Sequence, residues 1–153
     1  MKVNSIRLYI NGFTLVELIL AVAVLSILTA IAYPSYNAII EEQKTNQAIA
    51  DISSLGLLLE NFFYQKGRLP NDLQGFGDQI DPWGNEYQYL NISLAKGKGG
   101  LRKDHKLVPI NTDFDLYSMG PDGESVPPLT AKMSKDDIVR ANNGSYIGKA
   151  EDY

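Results

Sequence analysis

The sequence predicts an α+β fold in which one long N-terminal helix packs on a small antiparallel β-sheet. Three observations lead to this prediction. An uncharged segment runs from Leu18 to Ile40, long enough for a helix that crosses a membrane. Apolar residues then recur at helical spacing as far as Phe62. Beyond that point two segments, 86–92 and 114–120, alternate in the way that β-strands do.

The bulk composition excludes several classes of protein. The chain has 153 residues, a net charge of −4 and no cysteine. The acidic balance argues against general binding to nucleic acid, and the lack of cysteine excludes disulfides and thiolate metal sites. We divide the chain into a leader, 1–12, a hydrophobic transmembrane segment, 13–40, and a polar body, 41–153, that has room for one modest core.

The leader has the charge pattern of a segment that stays in the cytoplasm. It contains Lys2 and Arg7 and no acidic residue. An ordinary secretory signal has a short apolar core and is cleaved after it. Here the apolar segment is too long for that, so the other candidate cleavage point lies before it, after Gly12.

A single carboxylate, Glu17, interrupts the apolar segment near its start. An ionisable group in lipid is rare, usually paired and functional by default. If the chain is cut after Gly12, the new ammonium group of Phe13 lies one helical turn from Glu17, so that charge compensation is available locally. The alternative is a plain membrane anchor whose glutamate lies near the interface and has no role.

Gly12 followed by FTLVELILAVAVLSILTAIAYPSY resembles the leader junction and N-terminal helix of type IV pilins and type II secretion pseudopilins. The resemblance implies that a prepilin peptidase cuts between Gly12 and Phe13 and methylates the new amino terminus of Phe13. It also implies that Glu17 of an incoming subunit neutralises Phe13 of its neighbour as a filament assembles. Pro34 lacks a backbone donor, which predicts a helix kink near residues 31–33.

The second half of the predicted helix carries an apolar stripe that packs on the body. Its members recur every three or four residues: Ile49, Ile52, Leu55, Leu59 and Phe62. Gly56 weakens the helix by about 1 kcal/mol relative to alanine. The segment KGRLP, residues 66–70, predicts the helix end through its glycine and its proline. Trp83 is interpreted as a core anchor where a loop meets the helix.

Three further segments of the body, DPWGNEYQY, DLYSMGPDG and DDI, resemble the major (G-type) pseudopilin of type II secretion. In that family the loop after the second strand binds one calcium ion. The resemblance therefore adds a C-terminal metal-binding loop to the predicted fold. The candidate ligands are the carbonyl of Met119 and the carboxylates of Asp122, Asp136 and Asp137, which are oxygen ligands of the kind that calcium prefers. The alternative is that these carboxylates are simply solvated.

Departures from the G-type pattern leave room for a minor pilin or a divergent pseudopilin. The loop ESVPPLTAKMSK lacks the glycine-rich character usual in that family, and Glu86 stands where the family often has proline. In addition, the segment Lys96–Lys106 carries five Lys/Arg residues. We expect this basic segment to be a flexible solvated loop. The alternative is a basic surface that contacts DNA, anionic partners or the acidic loop of a neighbouring subunit.

The sequence contains no Gly-x-Ser-x-Gly motif, no Walker loop and no histidine cluster, so we do not expect an enzyme. The predicted function is that of a structural subunit of a type II secretion pseudopilus or type IV pilus-like filament. Such a subunit polymerises through its N-terminal helix to drive protein secretion across the outer membrane. The alternatives are a minor type IV pilin used for adhesion or DNA uptake, and a membrane-tethered sensor that never polymerises.

The predicted partners are further copies of the chain, a prepilin peptidase, minor pseudopilins and an inner-membrane assembly platform. Calcium is the predicted cofactor. The predicted location is the bacterial inner membrane, with one span and a periplasmic body, and the pseudopilus or pilus after assembly.

Overall fold

A computed structural model describes residues 12–105 and 107–153. The leader therefore lies outside the described residues except for Gly12, as does Lys106 of the basic segment. The chain separates into two compact units, Met1–Ile40 and Glu41–Tyr153. The division falls where the sequence places the end of the hydrophobic segment.

One helix, α1, extends from Leu15 to Lys66. It ends where the sequence predicts: Gly67 has a φ of 69°, and its amide donates to the carbonyl of Phe63 at 2.8 Å, as in a left-handed C-cap. Pro34 lies inside the helix, which is assigned without a break. The kink at Pro34 stays a prediction.

Four strands form an antiparallel sheet in the order β1-β2-β3-β4. These strands are β1 (Gln88–Asn91), β2 (Phe114–Ser118), β3 (Ile138–Ala141) and β4 (Tyr146–Lys149). Neighbouring strands are consecutive in sequence, so the sheet is a simple meander. The predicted α+β fold is confirmed, although the sequence reading found only β1 and β2.

The sheet is covered on both faces. On one face the second half of α1 buries Ala48, Ile52, Leu55 and Leu59 against Leu116 of β2 and Ile138 of β3. The other face carries a second cluster of buried residues: Ile110, Leu129, Val139, Ala141 and Ala150. The buried helix face agrees with the predicted stripe, except that Ala48 is fully buried whereas Ile49 and Phe62 are only partly buried.

Candidate functional site

The N-terminal site is built around the first turn of α1. Gly12, Phe13 and Thr14 precede the helix and are exposed. The Thr14 hydroxyl accepts from the Glu17 amide at 3.3 Å, while Glu17 Oε2 accepts from the Thr14 amide at 2.9 Å and from its hydroxyl at 2.8 Å. This reciprocal arrangement is a capping box, which satisfies amides that a helix start leaves without partners. Glu17 is therefore held in a defined position before any second subunit is present.

The helix after this turn has the properties of a membrane span. It is long and apolar enough to cross a membrane, and every residue from Gly12 to Ile39 is exposed in the single chain. Three of its hydroxyl side chains are bonded within the helix: those of Ser26, Thr29 and Ser35 donate to the carbonyl four residues earlier. Because these three groups are satisfied locally, the surface from Leu18 to Ala32 is apolar on all sides, which is compatible with lipid.

The loop between β2 and β3, residues 119–137, is the second candidate site, and a turn beside it positions its start. Asp81 is buried in this turn, where its carboxylate accepts from the amides of Trp83 and Asn85 and from the hydroxyl of Ser118. The side chain of Asn85 in turn donates to the carbonyl of Gly120 at 3.1 Å. The turn predicted for DPWGN therefore fixes the point where the loop leaves β2.

A buried arginine, Arg102, closes the same loop. One guanidinium nitrogen, Nη1, donates to the hydroxyl of Ser125 at 2.6 Å and to the carbonyl of Val126 at 2.7 Å. The other, Nη2, forms an ion pair with the carboxylate of Asp137, and both side chains are almost wholly buried. The guanidinium carbon lies 4.2 Å from the centre of the Tyr117 ring, within range of a cation–π contact. One side chain therefore joins the early part of the loop to its end.

The backbone around Arg102 supports this closure. The Lys103 amide donates to the carbonyl of Pro127 at 3.1 Å, and the Leu129 amide donates to the carbonyl of Lys103 at 2.9 Å. The Arg102 amide donates to the buried carboxylate of Asp115 at 2.8 Å. Segment 101–104 is thus paired with the loop through its main chain as well as through the guanidinium.

Burial disfavours the ionised form of two carboxyl groups at this site, those of Asp137 and Asp115. Burial raises the pKa of Asp137 to about 6, although hydrogen bonds from Ser125 and the charge of Arg102 act in the opposite direction. Burial also raises the pKa of Asp115, against bonds from the Arg102 amide and the Asn111 side chain. Both carboxylates depend on their partners to remain ionised in this interior.

The four predicted calcium ligands do not converge in this arrangement. Asp137 is paired with Arg102, and Asp122 is exposed and accepts from the Glu124 amide in a local turn. Asp136 is half-buried beside Gly120, next to Met119 in the chain. Within residues 12–105 and 107–153, no three His, Cys, Asp or Glu side chains are placed to hold a metal ion. The residues present do not fit a calcium site as arranged, and calcium binding stays a prediction.

The sequence comparisons agree with the N-terminal geometry. Residues 7–33 match the family model described as the prokaryotic N-terminal methylation motif. The type II secretion system core protein G of Pseudomonas aeruginosa is 29% identical over 137 residues, which cover 74% of this chain and 85% of that protein. The core protein G of Klebsiella pneumoniae is 26% identical over 151 residues, covering 84% and 91%. This chain is a type IV pilin-like protein. 

A type IV pilin is also similar to this pilin-like chain. The type IV major pilin protein PilA of Myxococcus xanthus is 32% identical over 102 residues, covering 67% of this chain and 46% of that protein. No solved structure matches the chain at a significant level. The core G proteins cover more of the chain, and they match it through the body as well as through the helix.

The basic segment of the pilin-like chain differs from the expectation of a solvated loop. Leu101 and Arg102 are buried, and Arg102 contacts β2 and the loop that follows it, whereas Lys96 and Lys98 are exposed. Arg102 is therefore not available to a DNA strand or to an anionic partner. The prediction of a flexible solvated loop is wrong for this part of the segment.

Sequence reasoning missed two functional features of the site. The capping box of Thr14 and Glu17 has a sequence signature, threonine followed three residues later by glutamate ahead of an apolar run, which was available in the sequence. The position of Arg102 has only a faint signal, a single leucine beside it in a polar stretch. A buried arginine can be found only when the partners that neutralise it are known.

Proposed function

We propose that this chain is a structural subunit of a type II secretion pseudopilus, which polymerises through its N-terminal helix and has no catalytic role. The observation that carries the proposal is the N-terminal site. An exposed Gly12–Phe13 junction is followed by a capped Glu17 and by a helix that is apolar on all sides. The similarity to core G proteins along the body supports the secretion filament over other filaments of this kind.

In this mechanism the chain is inserted in the inner membrane with its body in the periplasm. A prepilin peptidase cuts after Gly12 and methylates Phe13, and an assembly platform with minor pseudopilins adds subunits at the base of the filament. The ammonium group of Phe13 on one subunit forms an ion pair with the Glu17 carboxylate of the next, because a carboxylate in lipid is stabilised most by an opposite charge. The leucine, valine and isoleucine side chains of neighbouring helices then supply cohesion.

The test separates the charge of Glu17 from its role in the capping box. Glu17→Gln keeps an acceptor for the Thr14 groups but removes the charge, since glutamine also serves in a capping box. Glu17→Ala removes both. We expect both variants to be cleaved and inserted, and the yield of sheared filaments to fall by more than about tenfold, the change that about 1.4 kcal/mol produces.

The matched control is Glu42→Ala, which removes an exposed carboxylate from the same helix outside the apolar segment. This variant should assemble normally. Normal filament yield from Glu17→Gln would show that capping, and not charge, is the role of this residue. Normal yield from both Glu17 variants would leave the chain as a simple membrane anchor.

The second candidate is a type IV pilin of a surface filament, which the similarity to the Myxococcus xanthus pilin favours. The two are distinguished by loss of the gene: failure to secrete exoproteins indicates the pseudopilus, whereas loss of surface filaments or of DNA uptake indicates the pilus. For DNA uptake the variant to use is Lys98→Ala with Lys103→Ala. Arg102 must be left intact because its replacement would disturb the loop.

A further inference from the structure

The Arg102 guanidinium lies among oxygen groups of the loop between β2 and β3. The groups around the Arg102 guanidinium are one carboxylate, one hydroxyl and one main-chain carbonyl, from Asp137, Ser125 and Val126. These are the oxygen types that bind calcium in proteins. They come from residues 125–126 and from residue 137, the last of the loop, so the group that binds them all determines whether these two parts of the loop are held together.

We propose that the guanidinium of Arg102 takes the structural place of a calcium ion. It is the positive group that holds the loop between β2 and β3 closed. The loop of this chain is therefore closed without metal. Loop closure by Arg102 is independent of whether the chain polymerises, because all of the groups involved belong to one subunit.

Geometry favours arginine over a lysine at this position. A planar guanidinium can donate to several acceptors in fixed directions, whereas an ammonium acts as a point charge. Nη1 serves Ser125 and Val126 while Nη2 serves Asp137, and the face of the same group lies on Tyr117. The Ser125 hydroxyl also donates to the Asp137 carboxylate at 2.6 Å, which closes a ring of three side chains.

The same cluster disfavours a divalent ion beside the arginine. Within the part of the chain that the structure describes, Asp137 Oδ1 and Arg102 Nε are buried atoms without a hydrogen-bond partner, and the carboxylate oxygen would be the point of attachment for a metal. A calcium ion bound to that oxygen would lie on the order of 5 Å from the guanidinium that holds the other oxygen. Two positive groups at this distance in a poorly solvated interior repel each other strongly.

The experiment uses the full chain purified in detergent, with thermal unfolding followed by the fluorescence of Trp83, the only tryptophan. The wild-type protein is compared in excess calcium and in excess chelator. We expect the unfolding midpoint to differ by less than about 1 °C, since metal that does not bind the native state gives no stabilisation. A midpoint that falls by about 10 °C in chelator would overturn the proposal and assign the loop to calcium.

The matching variants are Arg102→Met, Arg102→Lys and the exposed control Arg68→Met. We expect Arg102→Met to lower the midpoint by about 10 °C in calcium and in chelator alike, because Asp137 stays buried without the group that keeps it ionised and must either remain charged without a partner or take up a proton. Arg102→Lys should lower it by less, as the charge remains but the fork is lost. An Arg102→Met protein no less stable than the Arg68 control would contradict the proposal.

A double variant keeps the test informative if Arg102→Met does not fold. Arg102→Met combined with Asp137→Asn removes both charges, so part of the loss should be recovered relative to Arg102→Met alone. No recovery would mean that Arg102 acts only by filling space, and the proposal would fail. Limited proteolysis of residues 121–136 gives a local readout: the wild-type loop should be equally resistant with calcium and with chelator.

Discussion

The segment from Gly12 to Ile40 has one charged side chain, Glu17, and its residues are exposed as far as Ile39. The body, in contrast, contains two arginines that are almost wholly buried, Arg102 and Arg140. In the first region the polar groups are satisfied within one or two helical turns, as in the capping box and the bonded hydroxyls. Around the two buried arginines of the body, the groups that neutralise the charge come from distant parts of the sequence.

This difference shows which interactions define each region. The apolar segment needs only its own backbone to be a helix, and its surface is left for lipid or for other subunits. In the body, the clusters around buried charges, together with the apolar contacts, fix where loops and strands meet. Changes in the body should therefore affect global stability, whereas changes in the first region should affect assembly.

The largest expected effect is at Arg140. Its guanidinium bonds to both carboxylate oxygens of Asp113, at 3.0 and 2.8 Å, and to Glu60 of α1 at 3.2 Å, and it lies 3.9 Å from the centre of the Phe114 ring. We expect Arg140→Met to lower the free energy of unfolding by about 3 kcal/mol, because Asp113 and Glu60, which are both partly exposed, lose their shared partner and the buried guanidinium's contacts with Phe114 are lost as well. Denaturant unfolding followed by Trp83 fluorescence measures this change.

Arg68→Met, which alters an exposed arginine of the body, is the control for Arg140 and should change the free energy of unfolding by less than about 0.5 kcal/mol. An equal effect of the two substitutions would break the contrast between buried and exposed charge in this chain. Double substitution of Arg140 and Asp113 should be less harmful than the sum of the single substitutions.

The second effect is at Gly120, where the C-terminal loop leaves β2. This glycine has a φ of 66°, and a Cβ there would lie 2.5 Å from the carbonyl oxygen of Asp136. We expect Gly120→Ala to lower the free energy of unfolding by about 2–3 kcal/mol, since it adds both backbone strain and a clash with the main chain. The control is Gly99→Ala, which has open space around it and should be nearly neutral.

Much of the fold could be predicted from the sequence because its signals are local. The uncharged run gives the first half of α1, the three- and four-residue spacing gives the second half, and Gly67 gives its end. The strands β1 and β2 alternate clearly. The strands β3 and β4 could not be predicted because each has only four residues, and because their sequences, IVRA and YIGK, show no clean alternation of polar and apolar side chains.

The candidate sites divide in the same way. Gly12, Phe13 and Glu17 lie close together in the sequence, so a local motif is enough to predict them. The match to the methylation motif covers all three. The loop site depends on Arg102, which lies 35 residues from Asp137. Only the folded structure shows which charged residues at that separation form a pair. The carboxylates of the loop could therefore be named from the sequence, but not the fact that Arg102 neutralises Asp137.

The smallest expected effect is at Gly56, and it tests whether local propensity or long-range charge determines a buried helix position. A Cβ on Gly56 would meet Arg140 Nε at 3.8 Å and Cδ at 3.9 Å, which are ordinary contacts. We therefore expect Gly56→Ala to raise the free energy of unfolding by about 0.5–1 kcal/mol through helix propensity alone. The control Ala50→Gly, at an exposed position of the same helix, should lower it by a similar amount. Destabilisation by Gly56→Ala would instead mean that the glycine is needed to seat the guanidinium, and that the buried arginine constrains even the helix that covers it.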